Sequence, residues 1–523
     1  MKKVIALLMI MVLSLSLFVG CKRETKNTGT PAESSPAVTD AAKTEEEKTE
    51  DGEWTGEVSK IVMTYLTLGT TPADLQLIQD TVNEISVKKI GVEVELRPYS
   101  AYDAFSQFPI LIGTGEPIDL MIPLMQDMNT YISQGLIQPL DELIESSAPD
   151  IKKLAEEFPI TSSNVVDGKT YAVMSVANGY GSGGSYQIAH KYLEESGIEY
   201  DPEKIYTLDD LTALFAKVKE ANPSMYPAGV VSTGRTSSEF VYFGGISDNL
   251  GATAASGSIM GTDSTEVVNL FETEEYYNYL KYLRDWYNAG YIYPDAATTD
   301  SAMTSLLMSG VFNGFFMVSN PIQKTEKGGY FGEDTGEILR LSAPYFGSTP
   351  RGGWVVPITS KEPEAAMRFL NLVWADSTVS NLIQWGIEGK HYVIKDKEIG
   401  LIDFPEGIDA STSGYYNSLG LYGDTREVYI WSENNSPALN QAYTNEAMSN
   451  LTQGVGFVYD PTNQATKITA IQAVIAQYLP GLESGSVDLD KYYPEFIKAL
   501  KHVGIADVIA DKQAQFDAWR AQK

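Results

Sequence analysis

The chain of 523 residues contains one cysteine, Cys21, and three histidines, His190, His391 and His502. One thiol cannot form the paired disulfides of a small secreted scaffold or the four-ligand site of a zinc ribbon. The histidines are too far apart in the sequence to indicate a histidine-rich metal centre. We therefore expect no metal site and no cofactor.

Basic residues are also scarce, since 38 Lys and Arg stand against 69 Asp and Glu, for a formal net charge of −31. Proteins that bind nucleic acid neutralise phosphates with clustered Lys and Arg, so this balance excludes that class of partner. The chain is not an acidic disordered polymer either, because 43% of its residues are hydrophobic and 11% are aromatic. At about 100–200 residues per domain, the length predicts two or three folded units.

Long apolar runs are absent except at the amino terminus, where residues 4–19 follow Lys2 and Lys3. A positive start before a short apolar run is typical of a secretory signal peptide. The run is short for a membrane span, which needs about 20 apolar residues. It ends in residues 17–21 (LFVGC), which resemble the lipobox of bacterial lipoproteins.

In lipoproteins with this motif the chain is cut before the cysteine, whose sulfur is then acylated. The resemblance implies that residues 1–20 are a signal peptide and that Cys21 anchors the protein by lipid to the outer face of the cell membrane. The alternatives for Cys21 are a buried core cysteine or a place in an uncleaved anchor helix. Residues 21–53 contain no aromatic side chain, so we predict a disordered tether.

The folded body begins near Trp54 with a strand, a helix and a second strand. Residues 61–66 are apolar and β-branched, residues 73–89 carry apolar side chains at helical spacing, and residues 92–96 alternate. A strand–helix–strand sequence predicts parallel strands joined by a crossover helix, and the fold class is therefore α/β.

The same alternation continues along the chain. We predict a strand at 118–122 and helices at 101–113, from 127, and near 208–221, 273–289, 362–375 and 465–482. Loops rich in Pro, Gly and Ser at 178–185 and 344–353 are candidate crossings between lobes.

Several phrases, taken together, resemble the extracellular solute-binding proteins of ABC importers, in particular the family 1 or sugar-type group. They are residues 102–122 (YDAFSQFPILIGTGEPIDLMI), 131–141 (YISQGLIQPLD), 167–172 (DGKTYA) and 361–366 (KEPEAA). Residues 385–392 (WGIEGKHY), with Gln513, Gln515 and Trp519, resemble the Gram-positive lipoproteins of this family that carry a characteristic C-terminal region.

The resemblance implies a two-lobed periplasmic-binding-protein-like fold, with hinge strands and a ligand cleft between the lobes. Lobe 1 is expected to comprise residues 54–177 plus 352–415, and lobe 2 residues 178–351 plus 416–523. A ligand that contacts both lobes stabilises the closed state, which then docks on permease subunits in the membrane. We expect a monomer.

Sugar recognition needs flat apolar faces with polar groups around them. The candidate ligand contacts near predicted strand ends and in loops are Tyr65, Gln126, Asp127, Asn178, Tyr180, Arg235, Glu239, Ser319, Asn320, Arg351, Trp354, Phe457 and Tyr459.

Structural explanations compete with several of these assignments. Asp127 is equally suited to cap the next helix, and Tyr65 to pack in the core. Arg235 and Glu239 could pair with each other rather than bind hydroxyls. Trp286 falls at core spacing on a helix, so we expect it to be buried.

Catalytic motifs are missing from the sequence: no Gly-x-Ser-x-Gly, P-loop or His-Glu-x-x-His is present. We therefore predict a lipoprotein that captures a carbohydrate, most simply an oligosaccharide, and delivers it to an ABC importer without covalent chemistry. The alternatives are a secreted carbohydrate-processing enzyme and a peptide-binding receptor of an ABC importer.

Overall fold

The computed structural model describes residues 53–67, 70–123, 128–158, 160–161, 164–166, 168–175, 183–319, 331, 335–348, 353–410, 412–417, 419–424, 426–431 and 437–522. In chain order its strands are β1 (Ser59–Thr67), β2 (Val92–Ser100), β3 (Val165–Val166), β4 (Lys169–Thr170), β5 (Gly183–Ala189), β6 (Ser247–Asp248), β7 (Ile259–Met260), β8 (Gly314–Ser319), β9 (Gly336–Arg340), β10 (Val393–Asp396) and β11 (Leu401–Asp403).

The helices are α1 (Leu75–Ile90), α2 (Ala101–Gly113), α3 (Met128–Ser133), α4 (Asp141–Ser147), α5 (Pro149–Glu157), α6 (His190–Ser196), α7 (Leu208–Ala221), α8 (Glu274–Asn288), α9 (Met303–Met308), α10 (Pro363–Ala375), α11 (Ser377–Trp385), α12 (Pro437–Met448), α13 (Ala465–Leu482), α14 (Leu489–His502) and α15 (Ile505–Arg520). Short 3₁₀ helices occur at Phe240–Phe243, Ala254–Ser256, Leu270–Glu272 and Thr462–Gln464.

The predicted strand–helix–strand unit at the start of the body is confirmed. β1 and β2 pair in parallel from Ser59 opposite Val92 to Thr67 opposite Ser100, and α1 is the crossover between them. The helix ends at Gly91, whose φ of 63° is the left-handed conformation that glycine adopts without a Cβ clash.

The predicted strand at 118–122 is reduced to two isolated bridges. Leu120 bridges Met63 of β1 in parallel, and Met121 bridges Val355 in the antiparallel sense. The apolar run at this position therefore indicates that the segment is buried between β1 and the segment around Val355. It does not indicate a long hydrogen-bonded ladder.

Two large hydrophobic cores divide the described residues into two lobes. The first is built on β1, β2 and the helices α1, α2, α10 and α11. The second surrounds the antiparallel sheet of order β8-β5-β9, packed by α7, α8, α13, α14 and α15.

Trp286 and Trp374 are both buried, each in one of these cores. The first core also contains Leu421 and Tyr422, which lie beyond the predicted end of lobe 1 at residue 415. The lobe boundaries stay a prediction. None of the helices within the described ranges combines the length and the apolar character needed to cross a membrane.

Candidate ligand cavity

Two of the predicted ligand residues belong to one aromatic layer inside the first lobe. Tyr65 near the end of β1 stacks with Tyr422 at a centroid distance of 6.2 Å, and the Trp354 ring lies 5.7 Å from the Tyr422 ring. Tyr415 is 6.0 Å from Tyr65. All four rings are buried, and burial raises the pKa of Tyr65 to about 12. The layer supports the lobe from within, and the ligand roles of Tyr65 and Trp354 stay predictions.

Arg235 and Glu239 form an ion pair inside the second lobe. Nη2 of Arg235 lies 2.8 Å from Oε2 of Glu239, while Nη1 lies 3.2 Å from Oε2 of the fully buried Glu483. Burial raises the pKa of the Glu239 carboxyl to about 7, against the attraction of Arg235 and together with the repulsion of Glu483. Glu483 lies 248 residues from Arg235 in the sequence, so no local pattern could have revealed this partner.

Phe457 and Tyr459 share a third, smaller core with residues that include Leu250 and Phe516. The Tyr459 hydroxyl donates to Oδ2 of Asp511 at 2.8 Å. Ser319 ends β8 opposite Gly183. The other predicted residues lie outside the described ranges: Cys21, Gln126, Asp127, Asn178, Tyr180, Asn320 and Arg351.

A cavity of about 720 Å³ is lined by residues of both lobes. Its volume falls within the range of about 300–1,000 Å³ that is typical of small-molecule sites. Two further cavities, of about 440 and 830 Å³, are lined by second-lobe residues alone. A ligand that holds two lobes together must touch both, so among these three cavities of the described residues the one of 720 Å³ is the candidate site.

One wall of the cavity comes from the first lobe. It consists of Ile132 and Ser133 near the end of α3, together with Val165, Val166 and Gly168 of the β3–β4 hairpin. Gly168 makes the tight turn of this hairpin with a φ of 74°. This wall is mostly apolar.

The opposite wall has an aromatic corner formed by Phe457, Phe516 and Trp519. Phe516 is fully buried and stacks with Trp519 at 5.8 Å and 20°. Phe457 packs 5.5 Å from Trp519 and 5.1 Å from Phe516. Phe457 and Trp519 both line the cavity, so Phe457 is a predicted residue that the structure places at this site.

A carboxylate stands beside this aromatic corner. Gln515 holds the backbone of Asp460 on both sides, since Oε1 accepts from the Asp460 N–H at 3.0 Å and Nε2 donates to the Asp460 carbonyl at 3.0 Å. Oδ1 of Asp460 accepts from the Thr462 N–H at 2.9 Å and from its hydroxyl at 2.6 Å. Oδ2 receives no hydrogen bond from the described part of the chain, so it is available to a ligand hydroxyl.

Sequence reasoning did not select Asp460, Gln515 or Trp519 as ligand contacts. The sequence shows Gln515 and Trp519 only as part of the resemblance to the family's characteristic C-terminal region. Their approach to residues near 457–460 depends on how α15 packs, and no pattern in the sequence shows this. Among the described residues, no group of three His, Cys, Asp or Glu side chains could hold a metal ion.

Two α/β lobes with a cavity bounded by both define the class of proteins that bind a solute and close around it. The chain belongs to the bacterial extracellular solute-binding protein family, whose model matches residues 78–376, more than half of the chain. A second model, a domain of unknown function, matches residues 453–521. The resemblance to this family is thereby confirmed.

The relatives of the chain are distant but cover most of its length. A carbohydrate ABC transporter substrate-binding protein of Streptococcus pneumoniae is 24% identical over 493 residues, 89% of this chain and 92% of the relative. A crystal structure of an N-glycan transport solute binding protein from the same organism is 22% identical, covers 89% of this chain and 100% of its own, and has a TM-score of 0.75. Its complex with Man5GlcNAc has a TM-score of 0.63 and covers 89% and 99%. These likenesses establish the two-lobed periplasmic-binding-protein-like fold.

Proposed function

We propose that the protein captures an oligosaccharide outside the cell and delivers it to an ABC importer. The observation that carries this proposal is the 720 Å³ cavity, where the rings of Phe457 and Trp519 stand beside the carboxylate of Asp460. Aromatic faces pack against the C–H faces of pyranose rings, and carboxylate oxygens accept from sugar hydroxyls. The names of the relatives, a carbohydrate transporter component and an N-glycan transport protein, point the same way.

Capture works through closure of the two lobes. A sugar seated between the β3–β4 hairpin and Trp519 contacts both walls, so it stabilises the closed arrangement over the open one by the sum of those contacts. The closed form is then the one that permease subunits recognise.

The protein performs no covalent chemistry in this proposal. A glycosidase needs two carboxyl groups on either side of the scissile bond, whereas Asp460 is the single carboxylate among the described residues that line the cavity. A peptide receptor of the same class would need groups for charged termini, and the described lining contains no Lys, Arg or His.

The proposal also includes the lipid anchor. Cleavage before Cys21 and acylation of its sulfur would hold the protein at the outer face of the membrane, with residues 21–53 as the tether. Radiolabelled palmitate should label the wild-type protein, while Cys21→Ser should appear unlabelled in the medium. Equal labelling of the two proteins would refute the anchor.

The binding test uses the full chain with Man5GlcNAc, β-1,4-mannotriose and a tetrapeptide as probes in thermal-shift and calorimetric assays. A glycan should raise the unfolding temperature, reduce the radius of gyration and be recovered uncleaved. The variant Ser133→Trp fills the cavity from the first lobe and should weaken binding at least about 10-fold. Ser146→Trp on the exposed surface of α4 is the control.

Two results would contradict the proposal. Cleavage of the glycan by the purified protein would indicate the enzyme, and stabilisation by the peptide but by no glycan would indicate the peptide receptor. If Ser133→Trp and wild type bound the glycan with equal affinity, the 720 Å³ cavity would not be the binding site.

A further inference from the structure

The C-terminal region of residues 453–521 matches a domain of unknown function, yet it is not a separate body. The buried faces of α13, α14 and α15 contribute Ile475, Phe496 and Val508 to the core of the second lobe. The region is therefore rigidly part of that lobe and moves with it during any closure.

This region supplies most of the cavity's second wall, including both aromatic side chains among the described residues that line it. Phe457 and Trp519 lie at its two ends in the sequence and meet at 5.5 Å. Phe516 stacks on the Trp519 ring, and the half-buried Trp519 lines the cavity. A flat surface of this kind accepts one sugar ring.

The charge of the cavity is one-sided. Asp460 is exposed, its backbone is fixed by Gln515, and its Oδ2 receives no hydrogen bond from the described part of the chain. Among the described residues that line the cavity there is no cationic side chain to balance it. A carboxylate a few ångströms from a sugar acid in such a setting repels it, whereas a neutral sugar can donate hydroxyls to it.

We propose that residues 453–521 select the ligand, with Phe457 and Trp519 stacking on one sugar ring while Asp460 favours neutral sugars over acidic ones. This inference rests on the proposed function and adds the class of sugar and the part of the chain that chooses it. The region of unknown function is thus the specificity element of the binding protein.

The test compares matched glycans on the full chain. The neutral glycans are Man5GlcNAc and a panel of other neutral oligosaccharides. Each one that stabilises the protein is compared with the same glycan after its primary hydroxyls have been oxidised to carboxylates. Wild type should bind the neutral form at least about 10-fold more tightly. Asp460→Asn should narrow the ratio of the two affinities by about 10-fold. Added salt should narrow this ratio more in wild type than in the variant.

The aromatic wall has its own measurement. Trp519→Ala should weaken binding of the neutral glycan by about 10-fold to 100-fold. Trp519→Phe should retain most of the affinity but lose the ligand-induced change in tryptophan fluorescence, which a purely structural role would not affect. Tyr492→Ala, a half-buried aromatic of α14 that does not line the cavity, is the control and should change affinity less than about 2-fold.

The outcomes separate this proposal from the function on which it rests. If no glycan stabilises wild type, the carbohydrate function falls and the selectivity proposal with it. If glycans bind but the oxidised forms bind as tightly as the neutral ones, or Asp460→Asn leaves the ratio unchanged, the selectivity proposal is overturned while capture stands. If Trp519→Phe kept the ligand-induced change in tryptophan fluorescence, stacking of a sugar ring on Trp519 would be excluded.

Discussion

Replacing Asp119 by alanine should destabilise the first lobe more than any surface substitution. Asp119 is 4% exposed, and Oδ2 accepts from the Val62 N–H of β1 at 2.9 Å. Oδ1 accepts from the Ser360 hydroxyl at 2.6 Å and from the N–H groups of Lys361 and Glu362 at 3.0 and 3.3 Å. One carboxylate therefore joins β1 to the start of α10, where it acts as a distant N-terminal cap.

The magnitude follows from which donors lose their partner. Lys361 and Glu362 are exposed, so water can replace the carboxylate at their N–H groups. The Val62 N–H and the Ser360 hydroxyl are partly buried and lose bonds to a charged acceptor, each contributing about 1.5–3 kcal/mol. Asp119→Ala should therefore lower the free energy of unfolding by about 3–6 kcal/mol. Asp119→Asn keeps one neutral acceptor and should lower it by about 2 kcal/mol.

Urea unfolding followed by tryptophan fluorescence measures the difference. The control is Asp396→Ala, which removes an exposed turn carboxylate that accepts from the Glu398 and Ile399 N–H groups at 2.8 and 3.4 Å. It should lower the free energy of unfolding by less than about 1 kcal/mol. Equal midpoints for Asp119→Ala and Asp396→Ala would show that the buried carboxylate does not join the two elements energetically.

Three further outcomes can be measured by unfolding. Because the folded-state pKa of Glu239 is raised from 4.5 to about 7, wild type should lose up to about 3 kcal/mol as pH rises from about 4.5 through 7, and Glu239→Gln should not. Because burial lowers the pKa of Lys512 from 10.5 to about 7, wild-type stability should rise by about 1 kcal/mol per pH unit between about 7 and 10, and Lys512→Met should remove that slope. A Cβ at Gly184 would lie 2.4 Å from the Gly244 nitrogen, so Gly184→Ala should cost about 3 kcal/mol or more. Gly113→Ala, with nothing within 4 Å of the added Cβ, should be neutral; equal effects of the two would refute the steric argument.

The helices that the sequence predicts, and the first β–α–β unit, agree well with the structure because their apolar spacing is local. α7, α10 and α13 begin and end within two residues of the predicted bounds. The prediction of a strand at 118–122 was wrong, because this segment forms only isolated bridges. A continuous apolar run shows that both faces of the segment are covered, but it does not show how many hydrogen bonds form. Short two-residue strands such as β3 and β6 carry no such signal.

The site could be predicted only in part, because residues that are in contact at the site lie far apart in the sequence. Tyr65 was a candidate from its place at a strand end, but its neighbours Tyr415 and Tyr422 lie some three hundred and fifty residues away. Trp519 and Phe516 are three residues apart on one helix, and one is half-exposed at the cavity while the other is fully buried. That difference is set by the rotation of α15 against the third core, in which Phe516 is buried, and this rotation depends on packing.

The C-terminal region carries both the proposed selectivity and part of the stability of the second lobe, so the two must be separated by point substitutions. Oε1 of the fully buried Glu483 accepts from the Tyr276 hydroxyl at 2.9 Å, and the Ser232 hydroxyl donates to the Pro480 carbonyl at 2.7 Å. Removing the region would leave Arg235 buried without one of its carboxylates and expose the face of the core that α13 covers. Trp519 and Asp460 sit at the cavity instead, outside these buried contacts. Substitutions there therefore report on ligand choice, whereas truncation would report on folding.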